Sequence, residues 1–179
     1  MSVSPKSMTV APCRRLRGEI GMPGDKSISH RLAMLCGVAK GRSVVRNYLQ
    51  SEDCLATLRA MQSLGASPVF KGGALEVRGN GGRMLAPVGP LDLGNSGTGI
   101  RLMTGLLAGA GIEATLTGDE SVRSRPMGRI HEPLLRMGAA IELQGQGGRA
   151  PIVIRGCELK GIAYRSEERR VGKECRSRW

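Results

Sequence analysis

Basic and hydroxyl side chains gather in the segment PGDKSISHR (residues 23–31), where a Pro-Gly turn leads into an apolar stretch. Lys26 and Ser27 fall in the first turn of the helix that this stretch predicts, where free backbone N–H groups and the positive end of the helix dipole favour anions. Arg31 lies on the same helix face, one turn further on. This arrangement predicts a phosphate or carboxylate site, although a solvated, capped helix start explains it almost equally well.

A second turn, LDLGNSGTGIRL (residues 91–102), opens another apolar stretch. Gly94, Gly97 and Gly99 allow the backbone to approach a ligand closely, and the helix that follows directs its N–H groups towards it. The segment contains neither GKS nor GKT and is therefore not a P-loop. A plain glycine-rich turn is the alternative for this segment alone, but two such turns in one chain favour anion binding.

A third segment, GDESVRSRPMGRI (residues 118–130), places Arg123, Arg125 and Arg129 around a proline. Guanidinium groups bind planar carboxylates and phosphates with two parallel hydrogen bonds. A loop with three of them is suited to an anionic ligand, and solvated surface charge is the alternative reading for a lone cluster.

The first two segments belong to an internal repeat. Residues 24–41 align with residues 94–111 at a constant offset, so that Arg31 meets Arg101. Each copy reads as a glycine-rich turn, an apolar helix, a strand, a second helix and two strands, which is a β-α-β-α-β-β unit. The predicted elements are helices at 27–38 and 98–108 ended by Gly41 and Gly111, strands at 43–49 and 113–118, and second helices at 53–64, capped by Asp53, and 127–137.

Composition narrows the class of function. A formal net charge of +12 is compatible with binding either nucleic acid or small anions, but only 2% of the residues are aromatic. Single-strand binders use aromatic stacking platforms, so small anions are favoured. The five cysteines form no CxxC pair, which predicts reduced thiols and no metal site. No apolar run approaches the ~20 residues of a membrane span and no secretory leader is recognisable, so we expect a cytoplasmic protein without membrane contact.

Taken in order, PGDKSISHR, LGNSGTGIRL and SVRSRPMGR resemble the 5-enolpyruvylshikimate-3-phosphate synthase family. The resemblance runs from Arg17 to Gly156 and includes SEDCLATLRAMQSLGA, and the forms SISHR and GIRLMTG are similar to the bacterial branch called class II. Two positions depart from common family patterns: Ser96 stands where Ala is common, and Leu102 stands where one class has Pro.

The resemblance implies an α/β (α+β) fold with two similar domains, each built from three β-α-β-α-β-β units. Two of the first domain's three repeats would then lie in residues 21–164. Residues 1–20 would form a strand segment that belongs with the second domain. Residues 165–179, RSEERRVGKECRSRW, break the pattern and look like a translated DNA-sequencing adapter, so we expect a non-native tail.

The resemblance also implies an enzyme that transfers the enolpyruvyl group of phosphoenolpyruvate to the 5-hydroxyl of shikimate 3-phosphate and releases phosphate. Lys26 would contact both substrates, Ser27 and Arg31 would bind shikimate 3-phosphate, and Gly97 and Arg125 would bind phosphoenolpyruvate. No metal or organic cofactor is implied, the acid and base residues would lie outside this chain, and the full-length enzyme would be a monomer. We expect the chain alone to be inactive.

Two alternatives remain. The UDP-N-acetylglucosamine enolpyruvyl transferases share the fold and the donor, but they typically carry Lys-Asn in the first turn and a reactive cysteine before the arginine. This chain has Lys26-Ser27 and no cysteine between Cys54 and Cys157. A small basic nucleic-acid-binding protein is the alternative that the charge alone suggests.

Overall fold

The computed structural model describes residues 9, 11, 12, 15 and 17–164. Most of the segment 1–20 and all of the tail 165–179 lie outside the described residues, so what was predicted for them stays a prediction. No helix of the described part is long and apolar enough to span a bilayer. The elements in chain order are α1 (Lys26–Val38), β1 (Lys40–Arg46), α2 (Glu52–Ser63), β2 (Ser67–Lys71), β3 (Ala74–Asn80), β4 (Leu91–Asp92), α3 (Gly97–Ala108), β5 (Glu113–Thr117), α4 (Glu120–Arg123), α5 (Gly128–Arg136), β6 (Ala140–Gly145) and β7 (Arg149–Arg155).

These elements form two similar units, as the repeat predicts. The first unit contains a sheet of order β1-β3-β2 and the second a sheet of order β4-β5-β7-β6. The second unit follows the predicted β-α-β-α-β-β order with one addition, the short helix α4. The first unit starts at α1, because residues 17–25 form neither strand nor helix.

Both units share one hydrophobic core. Met61 of α2, Leu64 directly after it, and Ile100 and Met103 of α3 are at most 1% exposed. Burying side chains of this size stabilises the fold by roughly 1.5–3 kcal/mol each. Helix α3 packs against both α1 and α2. The core therefore holds the start of α3 beside the two helices of the first unit.

Helices α1 and α3 end at the predicted residues, but not at the glycines predicted to stop them. Helix α1 ends at Val38 and α3 at Ala108, whereas Gly41 lies inside β1 and Gly111 lies in the turn before β5. Both glycines have positive φ, +94° and +67°. That conformation is easiest for glycine, and in both cases it follows the end of the helix. The predicted ends of both helices are therefore confirmed, and only the assignment of Gly41 and Gly111 as the residues that terminate them was wrong.

The predicted cap of α2 was also wrong. The N-cap position is Ser51, and Asp53 lies in the first turn of the helix. The Asp53 carboxylate is instead engaged by the ammonium group of Lys26. The carboxylate that local spacing predicted as a helix cap therefore forms an ion pair with a residue distant in the sequence.

Candidate functional site

The start of α1 brings together the three side chains that its sequence singled out. Asp25 caps the helix, with its carboxylate accepting a hydrogen bond of 2.7 Å from the N–H of Ile28. Ser27 is exposed in the first turn, and the Nη1 of Arg31 donates to the Ser27 carbonyl oxygen over 3.0 Å. The Lys26 side chain is 51% exposed while its partner Asp53 is 19% exposed. The helix start thus presents a cation, a hydroxyl and a guanidinium to solvent.

Close backbone packing fixes the position of this turn. A Cβ on Gly24 would collide with the backbone carbonyl oxygen of Asn47, which follows β1. The Asn47 side chain also donates to the Met22 carbonyl oxygen over 3.3 Å. Only glycine permits this approach, so the turn before α1 is held against the end of β1.

The start of α3 repeats this construction. Ser96 is the N-cap and its hydroxyl accepts from the N–H of Gly99 over 2.9 Å. The Nη1 of Arg101 donates to the Gly97 carbonyl oxygen over 3.3 Å, the same bond that Arg31 makes one repeat earlier. The aligned arginines therefore occupy equivalent places, which sequence alignment of the repeats predicted without assigning a role to Arg101.

Gly97 and Arg125 are far apart in the chain and adjacent in space. A Cβ on Gly97 would collide with the Nη1 of Arg125. The Nη2 of Arg125 donates to the side-chain oxygens of Asn95 and Ser121 over 3.1 and 3.0 Å. These two acceptors fix the orientation of the guanidinium over the glycine. Sequence reasoning singled out the glycine and the arginine but missed both orienting side chains.

Asp119 anchors the segment that carries Arg125. Its carboxylate accepts from the N–H of Val122 over 2.9 Å and from the Asn95 amide over 2.7 Å. The N–H of Val122, the Asn95 amide and the nearby Arg125 charge hold the pKa of Asp119 below its usual range. The segment predicted as an arginine loop is in fact partly helical, since Asp119 caps α4 and Arg123 is its last residue.

Arg101 lies within a cluster of guanidinium groups. Its Nη2 donates to the Pro126 carbonyl oxygen over 3.2 Å, and its Nε is buried without a hydrogen-bond partner within the described structure. Burial, together with the positive charges of Arg125 and Arg129, lowers the pKa of Arg101. Three like charges this close favour an anion, because an anion would relieve their mutual repulsion.

A buried polar path connects the two turns, and the sequence did not reveal it. His30 is fully buried, and its Nδ1 lies 2.8 Å from the hydroxyl of Thr57 on α2. Its Nε2 lies 3.3 Å from the hydroxyl of Ser96, the cap of α3. The available signal was the helical period, which places His30 on the same face as the buried Ala33 and Met34.

Among the described residues no group of three His, Cys, Asp or Glu side chains lies close enough to hold a metal ion.

Comparison with known proteins adds an independent line of information. The family model described as EPSP synthase (3-phosphoshikimate 1-carboxyvinyltransferase) matches residues 10–169. The chain is 49% identical over 162 residues to the 3-phosphoshikimate 1-carboxyvinyltransferase of Geobacter metallireducens, a match that covers 90% of this chain and 38% of that relative. It is 47% identical over 152 residues to the protein of that name from Thermoanaerobacter sp., covering 85% of this chain and 36% of the relative.

A solved structure gives a similar picture. The EPSP synthase of Acinetobacter baumannii superposes with a TM-score of 0.78 at 43% identity, covering 82% of this chain and 34% of that one. The chain thus spans less than two fifths of the length of each of these three relatives.

Proposed function

Because the chain belongs to the EPSP synthase (3-phosphoshikimate 1-carboxyvinyltransferase) family, we propose that it is part of an enzyme that transfers the enolpyruvyl group of phosphoenolpyruvate to the 5-hydroxyl of shikimate 3-phosphate. The observation that carries the proposal is the pair of equivalent helix starts, α1 and α3, each with cationic side chains beside the backbone N–H groups of the first turn. Both substrates carry a phosphate and a carboxylate, which are the groups that such helix starts and guanidinium clusters favour.

The two helix starts divide the binding of the substrates between them. Ser27 and Arg31 bind shikimate 3-phosphate at the start of α1, and Gly97 and Arg125 bind phosphoenolpyruvate at the start of α3. Lys26 contacts both substrates. The geometry supports this division. Ser27 and Arg31 lie on successive turns of α1, and Arg125 lies directly against Gly97.

The proposed reaction is an addition followed by an elimination. C3 of phosphoenolpyruvate is protonated while the 5-hydroxyl oxygen attacks C2 and gives up its proton to a base, which forms a tetrahedral intermediate with a methyl group at C3. Loss of phosphate together with one proton of that methyl group then restores the carbon–carbon double bond of the enolpyruvyl product. Lys26 and Arg125 offset the negative charge of the substrates and of the departing phosphate, which is the kind of stabilisation that lowers barriers most. Asn95 and Ser121 hold the Arg125 guanidinium in place before substrate arrives, so little reorganisation is needed.

The names of the relatives favour this acceptor over UDP-N-acetylglucosamine. The nucleic-acid alternative has no support beyond the net charge, since the basic side chains described above converge on the two helix starts. The proposal includes a monomeric full-length enzyme in the cytoplasm. Support for the compartment comes from Cys36, Cys54 and Cys157, which are free thiols in the structure, as is usual in reducing compartments.

A chimera tests the proposal. In this chimera, residues 17–164 of this chain replace the aligned segment of the enzyme of Geobacter metallireducens. We expect phosphate release that depends on both phosphoenolpyruvate and shikimate 3-phosphate. The unmodified relative is the control. Release with UDP-N-acetylglucosamine in place of shikimate 3-phosphate, or no release with either acceptor, would contradict the proposal.

A further inference from the structure

We propose that His30 is a positioning residue: as a neutral imidazole protonated on Nδ1, it links the starts of α1 and α3 through an unbroken hydrogen-bonded path and sets their spacing. The proposal rests on the proposed function in one respect, namely that the two helix starts bind the two substrates. The path itself is a property of the described residues. His30 is fully buried on α1 and faces hydroxyl groups on two other helices.

The partners of Thr57 determine where the ring carries its proton. The Thr57 hydroxyl lies 3.3 Å from the carbonyl oxygen of Asp53, which can only accept. Thr57 therefore donates its proton there and accepts from the Nδ1 of His30 over 2.8 Å. The ring carries its proton on Nδ1, and Nε2 is left as an acceptor.

The partners of Ser96 lead to the same tautomer from the other side. The Ser96 hydroxyl oxygen accepts from the Gly99 N–H over 2.9 Å, and its own proton is free to point to the Nε2 of His30, 3.3 Å away. The path thus runs from Gly99 through Ser96, His30 and Thr57 to the Asp53 carbonyl oxygen. Each side chain in it donates one bond and accepts one, so no buried polar group of the path is left unpaired.

A neutral ring suits the surroundings of His30. Burial, reinforced by the positive charges of Lys26 and Arg31 on its own helix, lowers the pKa of His30, and the carboxylate of Asp53 on α2 only partly opposes this. The ring is enclosed by three helices and has no water-exposed edge. A buried cation without a counter-charge in direct contact would be costly there.

The two ends of the path matter for binding. One end is the N-cap of α3, which shapes the turn containing Gly97. The other end is the backbone of Asp53, whose side chain holds Lys26. The 5-hydroxyl of one substrate must approach C2 of the other, and displacement of about 1 Å can reduce a rate on the order of a hundredfold. His30 therefore acts on both substrates without touching either.

The tautomer is measured directly by nitrogen NMR on the 179-residue chain labelled in its histidines. The chain has two histidines, so a His30→Gln variant assigns both rings, and His131 is the internal control. We expect a protonated Nδ1 and an unprotonated Nε2 for His30, and a shift of the Nε2 resonance alone in Ser96→Ala. A ring protonated on Nε2, or the averaged signal of a solvated imidazole, would overturn the proposal.

Kinetics of the chimera test the consequence. Thr57→Val removes the hydroxyl at nearly constant shape, and we expect KM for both substrates to rise together by about three- to tenfold, the effect of one hydrogen bond. Thr57→Ser restores the hydroxyl and both KM values, and His131→Asn leaves them unchanged. Equal KM values in Thr57→Val and the parent chimera would refute the positioning role. A parent chimera without turnover counts against the proposed function alone, because the NMR result does not depend on it.

Discussion

Lys26 is the cation that is proposed to contact both substrates. We expect Lys26→Ala in the chimera to lower kcat/KM on the order of a hundredfold or more, because a charge-assisted contact is lost to each anion. Steady-state phosphate release is the measurement. Lys71→Ala, on the exposed strand β2, removes the same charge elsewhere and is the matched control. Activity of Lys26→Ala within a few-fold of the control would show that Lys26 is only a solvated helix-start residue.

Arg125 is expected to act mainly on one substrate. Its guanidinium lies against Gly97, at the proposed phosphoenolpyruvate site. Arg125→Ala should therefore raise KM for phosphoenolpyruvate more than KM for shikimate 3-phosphate. Arg123→Ala removes an exposed arginine from the same segment and should leave both values unchanged. An equal rise in both KM values for Arg125→Ala would contradict the assignment.

The buried ring of His30 predicts how stability depends on pH. The pKa of His30 in the folded chain lies below its ordinary value near 6.5. At a pH between the folded and the unfolded pKa, the unfolded chain therefore binds more protons than the folded one. Its stabilising contribution is complete above pH of about 6.5 and declines as the pH falls, by at most about 1.4 kcal/mol per pH unit.

Urea unfolding of the chain between pH 7.5 and 5 measures this effect. The His30→Gln variant should lose less stability on acidification than the native chain, because Gln does not titrate. Parallel curves for the native chain and His30→Gln would contradict the prediction.

At the scale of an element, the absence of a side chain at Gly97 leaves room for the Arg125 guanidinium beside the start of α3. A Cβ on Gly97 would meet the far end of the Arg125 side chain, which can move, rather than rigid backbone. We expect Gly97→Ala to displace the guanidinium and raise KM for phosphoenolpyruvate several-fold, with a small change in stability. Gly105, also in α3, is the control, because nothing lies within 4 Å of a Cβ there. Gly105→Ala should stabilise the helix by up to about 1 kcal/mol without changing KM.

The long helices were predictable from sequence because their signals are local. Helices α1 and α3 begin within one residue of the predicted positions, since a glycine-rich turn followed by apolar periodicity marks each start. Strand β4, with two residues, and helix α4, with four, are too short to show a period. Helix α4 was missed for that reason, and the first strand of the second unit was predicted only from the order of the repeat, without residue bounds.

The candidate site was predictable only as far as its parts are local. Ser27 and Arg31 share one helix face because they are four residues apart, and Lys26 lies in the same first turn by its place in the sequence. The contact between Gly97 and Arg125, the pairing of Lys26 with Asp53 and the burial of His30 depend on how separate helices pack. Residue spacing within one helix does not predict contacts between separate helices.

At the scale of the whole molecule, the chain alone and the chimera should differ in turnover but not in where anions bind. The chain matches 38% of the length of the Geobacter metallireducens relative, so an assay of the chain alone lacks whatever groups the relative supplies from the rest. On α1, Ile28 and Leu35 are 57% and 63% exposed, an apolar face that the remaining part of the chimera can cover. We therefore expect no turnover by the chain alone.

A bacterial strain that cannot make aromatic amino acids provides the test. The chimera should restore growth on minimal medium, and the chain alone should not, at matched expression. Binding of shikimate 3-phosphate to the chain, followed through the backbone amide resonances of Lys26 and Ser27, should be weak but specific, because the start of α1 is already formed by its cap and by Gly24. Lys26→Ala should abolish those shifts, while Lys71→Ala should not. Growth supported by the chain alone would mean that residues 1–179 contain every group that the reaction needs.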